Sequence, residues 1–167
     1  KVPDNVQGRD FLSANYKSRR FIFAGRDRCD ETVDIQRCVR DSRYKYIRNF
    51  MSHVPHAQPS QYKDGKKILQ VIRDLYKEGK LNKQQARPFA SRRPPEELYD
   101  LHSDPYELIN LAEEPKYQKE LLAMRKILFQ RMTETRDVGL IPEPILEDLG
   151  REAGNKYQAF LDNDYSE

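Results

Sequence analysis

The sequence predicts an α+β unit: a small, mostly antiparallel sheet with helices packed on one face. Three observations carry this. Residues 35–49 alternate with a period of two on either side of a polar turn, which is a hairpin signal. Two later segments place apolar residues three and four apart, the helical spacing. The coarse order is strand, hairpin, helix, strand, helix, and helices between strands distant in sequence suggest a sheet covered by helices.

Residues 1–18 are polar and broken by Pro3 and Gly8, and they read as an irregular lead-in. "RRFIFAG", Arg19 to Gly25, is a short aromatic and β-branched run ending at a glycine, and it predicts a strand. "GRDRCDE", Gly25 to Glu31, is charged and aperiodic, so it predicts a loop. In the hairpin that follows, Ile35, Arg37 and Val39 point one way and Gln36, Cys38 and Arg40 the other. After Asp41-Ser42-Arg43, Tyr44, Tyr46 and Arg48 alternate with Lys45, Ile47 and Asn49. "MSHVPHAQPSQYKDG" is a proline-containing surface loop. A helix is expected from about Lys66 to Glu78, with Ile68, Ile72 and Leu75 on one face and Gly79 as its stop. Glu97 to Leu101 predicts a strand after the Pro94-Pro95 breaker. Lys116 to Thr133 carries the best helical stripe: Tyr117, Leu121, Met124, Leu128 and Met132. The expected organisation is lead-in 1–18, α+β unit 19–136, and an extended or disordered tail 137–167.

Composition narrows the function classes. Of 167 residues, 37% are hydrophobic and 34% charged, thin material for a self-sufficient core. Exposed stretches, or a surface normally buried against another domain, would both account for that. Thirty basic residues are nearly balanced by 27 acidic ones, and a net charge of +3 argues against a dedicated nucleic-acid module. No run of about 18 apolar residues could span a membrane. Lys1 to Asn5 shows no apolar leader.

Little catalytic chemistry is written in the sequence. His53, His56 and His102 read as ordinary loop histidines, since Pro55 interrupts the only close pair. Cys29 and Cys38 read as free thiols. There is no phosphate loop, dinucleotide fingerprint or nucleophile elbow. Two stretches stand out. "RYKYIRNF" mixes tyrosines and basic residues, which suits either single-stranded nucleic acid or the half-buried face of a sheet. "GRDRCDE" gathers Arg26, Arg28, Asp30 and Glu31 at the mouth of a strand. Arginines there can hold a sulfate or carboxylate through paired hydrogen bonds, and the acids can orient them or accept sugar hydroxyls.

Several segments taken in order resemble a known family. These are Arg37 to Ile47, Glu97-Leu98-Tyr99-Asp100-Leu101, Asp104-Pro105 with Glu107, Asn110-Leu111-Ala112, and a helix containing "LLAMRKIL". Together they resemble the C-terminal region of bacterial sulfatases, in the heparan N-sulfatase and arylsulfatase-like branch, from about Val2 to Glu143. The resemblance implies an alkaline-phosphatase-like enzyme in which a smaller C-terminal subdomain packs on a large catalytic domain. It implies that Arg26, Arg28, Asp30 and Glu31 help shape the substrate pocket. The expected substrates are sulfated glycans or aryl sulfates, and the expected partner is a missing N-terminal sulfatase domain, with no nucleic acid and no membrane. Calcium and a formylglycine nucleophile are expected in that domain and no cofactor in this chain. The family's formylglycine pattern is Cys/Ser-x-Pro/Ala-x-Arg, whereas Cys29 is followed by Asp-Glu-Thr-Val and Cys38 by Val-Arg-Asp-Ser. These 167 residues are therefore expected to be inactive alone. Resemblance to exported relatives implies a periplasmic or secreted setting. The alternatives are a nucleic-acid-binding module built on the Tyr44 to Arg48 strand, and a purely structural interaction domain.

Overall fold

A computed structural model describes residues 8–155 and 158. Four strands, β1 (Ile22–Cys29), β2 (Thr32–Arg40), β3 (Tyr44–Asn49) and β4 (Glu96–Asp100), form one antiparallel meander in chain order. The fold is the expected α+β. Between β3 and β4 lie α1 (Gln61–Asp64), α2 (Lys67–Lys77) and α3 (Lys83–Ala86). After β4 come α4 (Gln118–Glu134) and α5 (Glu143–Glu152).

The β2–β3 turn closes where the polar triplet predicted it. Asp41 Oδ1 accepts from the backbone N–H of Arg43 at 2.8 Å and of Tyr44 at 2.6 Å, an Asx turn that replaces backbone partners with a side chain. Register places Phe23, Val39, Tyr46 and Leu98 in one row across the sheet. Leu121, Met124, Leu128 and Met132 of α4 close over that row, and with Val39, Tyr46, Leu98 and Ala112 they form the core. The expected stripe, from Leu121 through Met124 and Leu128 to Met132, is therefore the buried seam of α4. Its area removed from water is the main stabilising term here, roughly 25 cal/mol per Å².

Two ends of the fold are fixed by polar stitching. Asn110 completes the edge strand β4. Its Oδ1 accepts from the N–H of Leu98 at 2.9 Å, and its Nδ2 donates to the carbonyl of Glu96 at 3.1 Å. The side chain thus satisfies backbone groups that a further strand would otherwise take. Helix α2 stops where Gly79 takes φ +67°, with the Lys80 N–H donating to the Leu75 carbonyl at 2.9 Å.

Three expectations need correction. The charged stretch Gly25 to Glu31 is not a loop: it continues β1 to Cys29, and only Asp30 and Glu31 turn. An exposed edge strand tolerates charge on both faces, which erases the alternation a pattern search relies on. Phe21, Phe23 and Tyr46 are expected to face a partner domain if the thin core means a covered surface, yet Tyr46 is fully buried within this unit and Phe21 packs against its core. Of the three, Phe23 alone stays substantially exposed, at 40%. The segment after Arg136 is not extended throughout, because α5 occupies residues 143–152. Residues 156, 157 and 159–167 of the expected tail and the first seven residues of the lead-in lie outside the described residues.

Candidate functional site

The β1–β2 turn positions the site. Two residues, Asp30 and Glu31, connect the strands, and Asp30 takes φ 52°, as tight hairpin turns require. The ladder shifts register between Arg26 and Arg28, so their side chains find different surroundings.

Arg26 leads to a buried cationic cluster. Its Nη1 lies 3.6 Å from Oδ2 of Asp34, whose side chain is fully buried. Arg93, 6% exposed, grips the same carboxylate with Nη2–Oδ1 at 2.5 Å and Nη1–Oδ2 at 3.2 Å. Arg93 also donates to the carbonyls of Met51 at 2.9 Å and Val54 at 3.1 Å. Its Nη1 stands 3.4 Å from His56 Nδ1, so that nitrogen can only accept and the imidazole proton belongs on Nε2. Burial, and next the Arg93 charge, hold His56 below its ordinary range. Two guanidiniums thus share one carboxylate with a neutral imidazole beside them. Such a centre keeps surplus positive charge and suits an anion nearby.

The other predicted residues separate from this cluster. Arg28 pairs with Glu143 at the start of α5, and its Nε donates to the Asp30 carbonyl at 2.7 Å. Glu31 accepts the N–H of Gln61, the first residue of α1, and that bond lowers its pKa. The structure therefore groups Arg28 with Asp30 at the turn, turns Arg26 inward to Asp34, and gives Glu31 a helix terminus to hold.

Sequence reading missed Asp34, Arg93 and His56 as a unit. Asp34 sits 59 residues from Arg93, and only folding brings them together. It also missed the Arg37 clamp on the α4 side of the sheet. Arg37 is 7% exposed and binds Asp137 through Nη2–Oδ1 at 2.7 Å, with a second contact from Nε, while Nη1 reaches Asp27 at 2.7 Å. Both carboxylates raise its pKa further. Gly139 packs so closely that a Cβ there would lie 2.0 Å from Arg37 Nη2.

The stretch "RYKYIRNF" offers no stacking platform. Tyr46 is buried with its hydroxyl on Glu96, Arg43 is bound to Asp100 at 2.8 Å, and Lys45 to Glu107 at 2.6 Å. Among the described residues, no three His, Cys, Asp or Glu side chains come together as a metal site, and neither cysteine stands in a formylglycine pattern. No described helix is long and apolar enough to cross a membrane.

No protein-family model matches the chain. Two ulvan-active sulfatases of Formosa agariphila do. One is 40% identical over 144 residues, covering 86% of this chain and 24% of its own length. The other is 29% identical over 160 residues, covering 90% of this chain and 30% of its own. The chain thus spans about a quarter of the length of the curated relatives it matches. Two solved structures, one assigned to the sulfatases of Bacteroides thetaiotaomicron and one a 2-O GAG sulfatase, share the fold. Each has a TM-score of 0.52 and 24% identity over 83% of this chain and 22% of its own.

Proposed function

We propose, from the premise that this chain is related in sequence to sulfatases over most of its length, that it is their C-terminal, pocket-shaping part. Joined to a catalytic portion, it would serve hydrolysis of sulfate esters or sulfamates on a sulfated glycan. Formylglycine and calcium would belong to that portion, which would supply the nucleophile and the charge stabilisation on sulfate oxygens. The residues of this chain bind and orient.

The observation that carries this reading is the surplus positive charge built at the β1–β2 end, where Arg26 and Arg93 converge on buried Asp34. Arg28 brings a further guanidinium to the exposed turn, where its Nε donates to the Asp30 carbonyl and its Nη1 meets Glu143. Arg28 is placed to pair with an anionic group of the sugar, and the Asp30 carboxylate to accept a hydroxyl. Glu31 contributes indirectly, by fixing α1 beside the turn.

Two measurements test it. The purified 167 residues should turn over no aryl sulfate, and turnover by pure fragment would refute the division of labour. In the full-length enzyme, Arg28→Ala should raise KM about tenfold with kcat nearly kept, the signature of lost ground-state binding. Unchanged KM and kcat would favour the second reading, a structural subdomain whose turn touches no substrate. That reading is supported by the Arg28–Glu143 pair, which already satisfies the guanidinium internally.

A further inference from the structure

The other end of the sheet carries a second cationic surface. There the lead-in residues Ser18 to Arg20 run past the β2–β3 turn and leave an open cleft of about 600 Å³. Arg19, Arg20 and Arg40 line it, together with Ser18 and Ser42. Asp41 is its one acidic wall residue, and Asp41 Oδ1 already accepts two backbone N–H groups of the turn. The neighbouring cations Arg43 and Lys45 are committed to Asp100 and Glu107. Arg20 and Arg40 differ: among the described residues neither meets a carboxylate in a salt bridge. The Arg20 guanidinium rests over the Phe21 ring at 5.0 Å, which orients it and leaves its N–H edge for a ligand.

The charge here is local. The chain as a whole is close to balanced at +3, yet this cleft sets Arg20 and Arg40 beside one carboxylate that the turn backbone already engages. Guanidinium forks match the planar oxygen pairs of sulfate and carboxylate, and the serine hydroxyls add donors of the kind a polyhydroxylated ligand meets. The cleft is open, which suits a segment of a chain more than an enclosed small ion.

We propose that this cleft binds an anionic group of a sulfated polysaccharide, as a holding site separate from the Asp34 cluster. The inference rests on the sulfatase reading for its choice of ligand and on the cleft itself for its location. Arg20 and Arg40 clasp a sulfate on the polymer while Ser18 and Ser42 hydrogen-bond to the sugar. Contact at two ends of the sheet would hold a long substrate by more than the sugar being processed.

The test is fluorescence anisotropy of the 167-residue chain with labelled dextran sulfate oligosaccharide at low salt. Parallel arms use unsulfated dextran, inorganic sulfate as competitor, and a single-stranded DNA of matched charge. Binding should be confined to the sulfated oligosaccharide, weaken as salt rises, and resist inorganic sulfate at equal sulfate concentration. Arg20→Ala with Arg40→Ala should weaken it about tenfold or more, since each removes a charge-assisted contact. Lys119→Ala with Lys126→Ala removes the same charge from the exposed side of α4 and should change affinity less than about twofold. Matching circular dichroism melts would show that both pairs fold. Equal affinity in the two double variants, equal binding of DNA, or no binding by the wild-type chain would overturn the proposal. The outcome is independent of turnover: a cleft that binds in an enzyme that hydrolyses no sulfate would break the functional reading and leave this one standing.

Discussion

The two faces of the sheet are held by different physics. On the α4 side, Val39, Tyr46 and Leu98 meet Leu121, Met124, Leu128 and Met132 in a dry apolar seam. On the opposite side, Asp34, Asn49, Glu97 and Tyr99 are covered by irregular chain and tied by charge. Arg93 holds Asp34, Arg87 holds Glu97 at 2.5 Å and the Tyr99 hydroxyl, and Asn49 donates to Glu97 at 2.7 Å. The apolar face needs only volume and shape. The polar face needs every partner present, because a buried charge without its counter-charge is far costlier than a lost methylene. The candidate cations Arg26 and Arg93 belong to this polar face, the more fragile of the two layers.

The largest expected effect breaks the polar face. Asp34→Ala leaves the buried Arg93 without its carboxylate and should cost about 4 kcal/mol of unfolding free energy. The midpoint of urea unfolding reads this directly. A loss under about 1 kcal/mol would mean that water reaches the cluster freely. Next comes the apolar face: Leu128→Ala removes the most buried residue of the α4 seam and should cost about 3 kcal/mol by the same measurement. If Leu128→Ala proved costlier than Asp34→Ala, the ranking of the two faces would be reversed.

A smaller effect sharpens the contrast through pH. His56 is held below its ordinary range by burial and by Arg93, so the unfolded chain binds its proton more readily than the folded one. Stability is then full above the unfolded value of about 6.5 and falls as pH drops through it, levelling off below the folded value. His56→Gln should flatten that part of the stability curve. A wild-type curve flat between pH 7 and 5 would place His56 in open solvent.

The smallest effect lies outside both faces. Ile68 of α2 is 72% exposed, so Ile68→Ala should change stability by no more than about 0.5 kcal/mol. A loss near that of Leu128→Ala would mean that α2 is covered in solution.

The pair α2 and α4 shows how far the sequence was legible. Both carry apolar residues at helical spacing, and both helices form within a residue or two of the expected bounds. Yet α4 buries four residues of its stripe and α2 buries none. Periodicity reports the local preference for a helix; it carries no information on which surface arrives to cover the stripe. The resemblance motifs divide in a similar way. Asn110 stitches the edge of β4, Asp100 binds Arg43 and Glu107 binds Lys45. These residues hold the fold, so they identified the relatives without marking the chemistry.

The site was legible only in part. Arg26, Arg28, Asp30 and Glu31 were visible as a charged run, and the run does form one end of the sheet. Their separate destinations were not visible, because a register shift and contacts from Glu143, Gln61 and Asp34 decide them.

By itself the sequence determined the hairpin, the long amphipathic helix, the polar turn at Asp41 and the kinship to sulfatases, because each depends on neighbours within a few positions or on short ordered motifs. Only the tertiary structure decided that Tyr46 is core, that Arg93 reaches Asp34, and that Arg37 is clamped between Asp27 and Asp137. Those outcomes turn on the desolvation of groups far apart in the chain. A buried charge is tolerable only where another arrives to meet it, and no local pattern records that meeting.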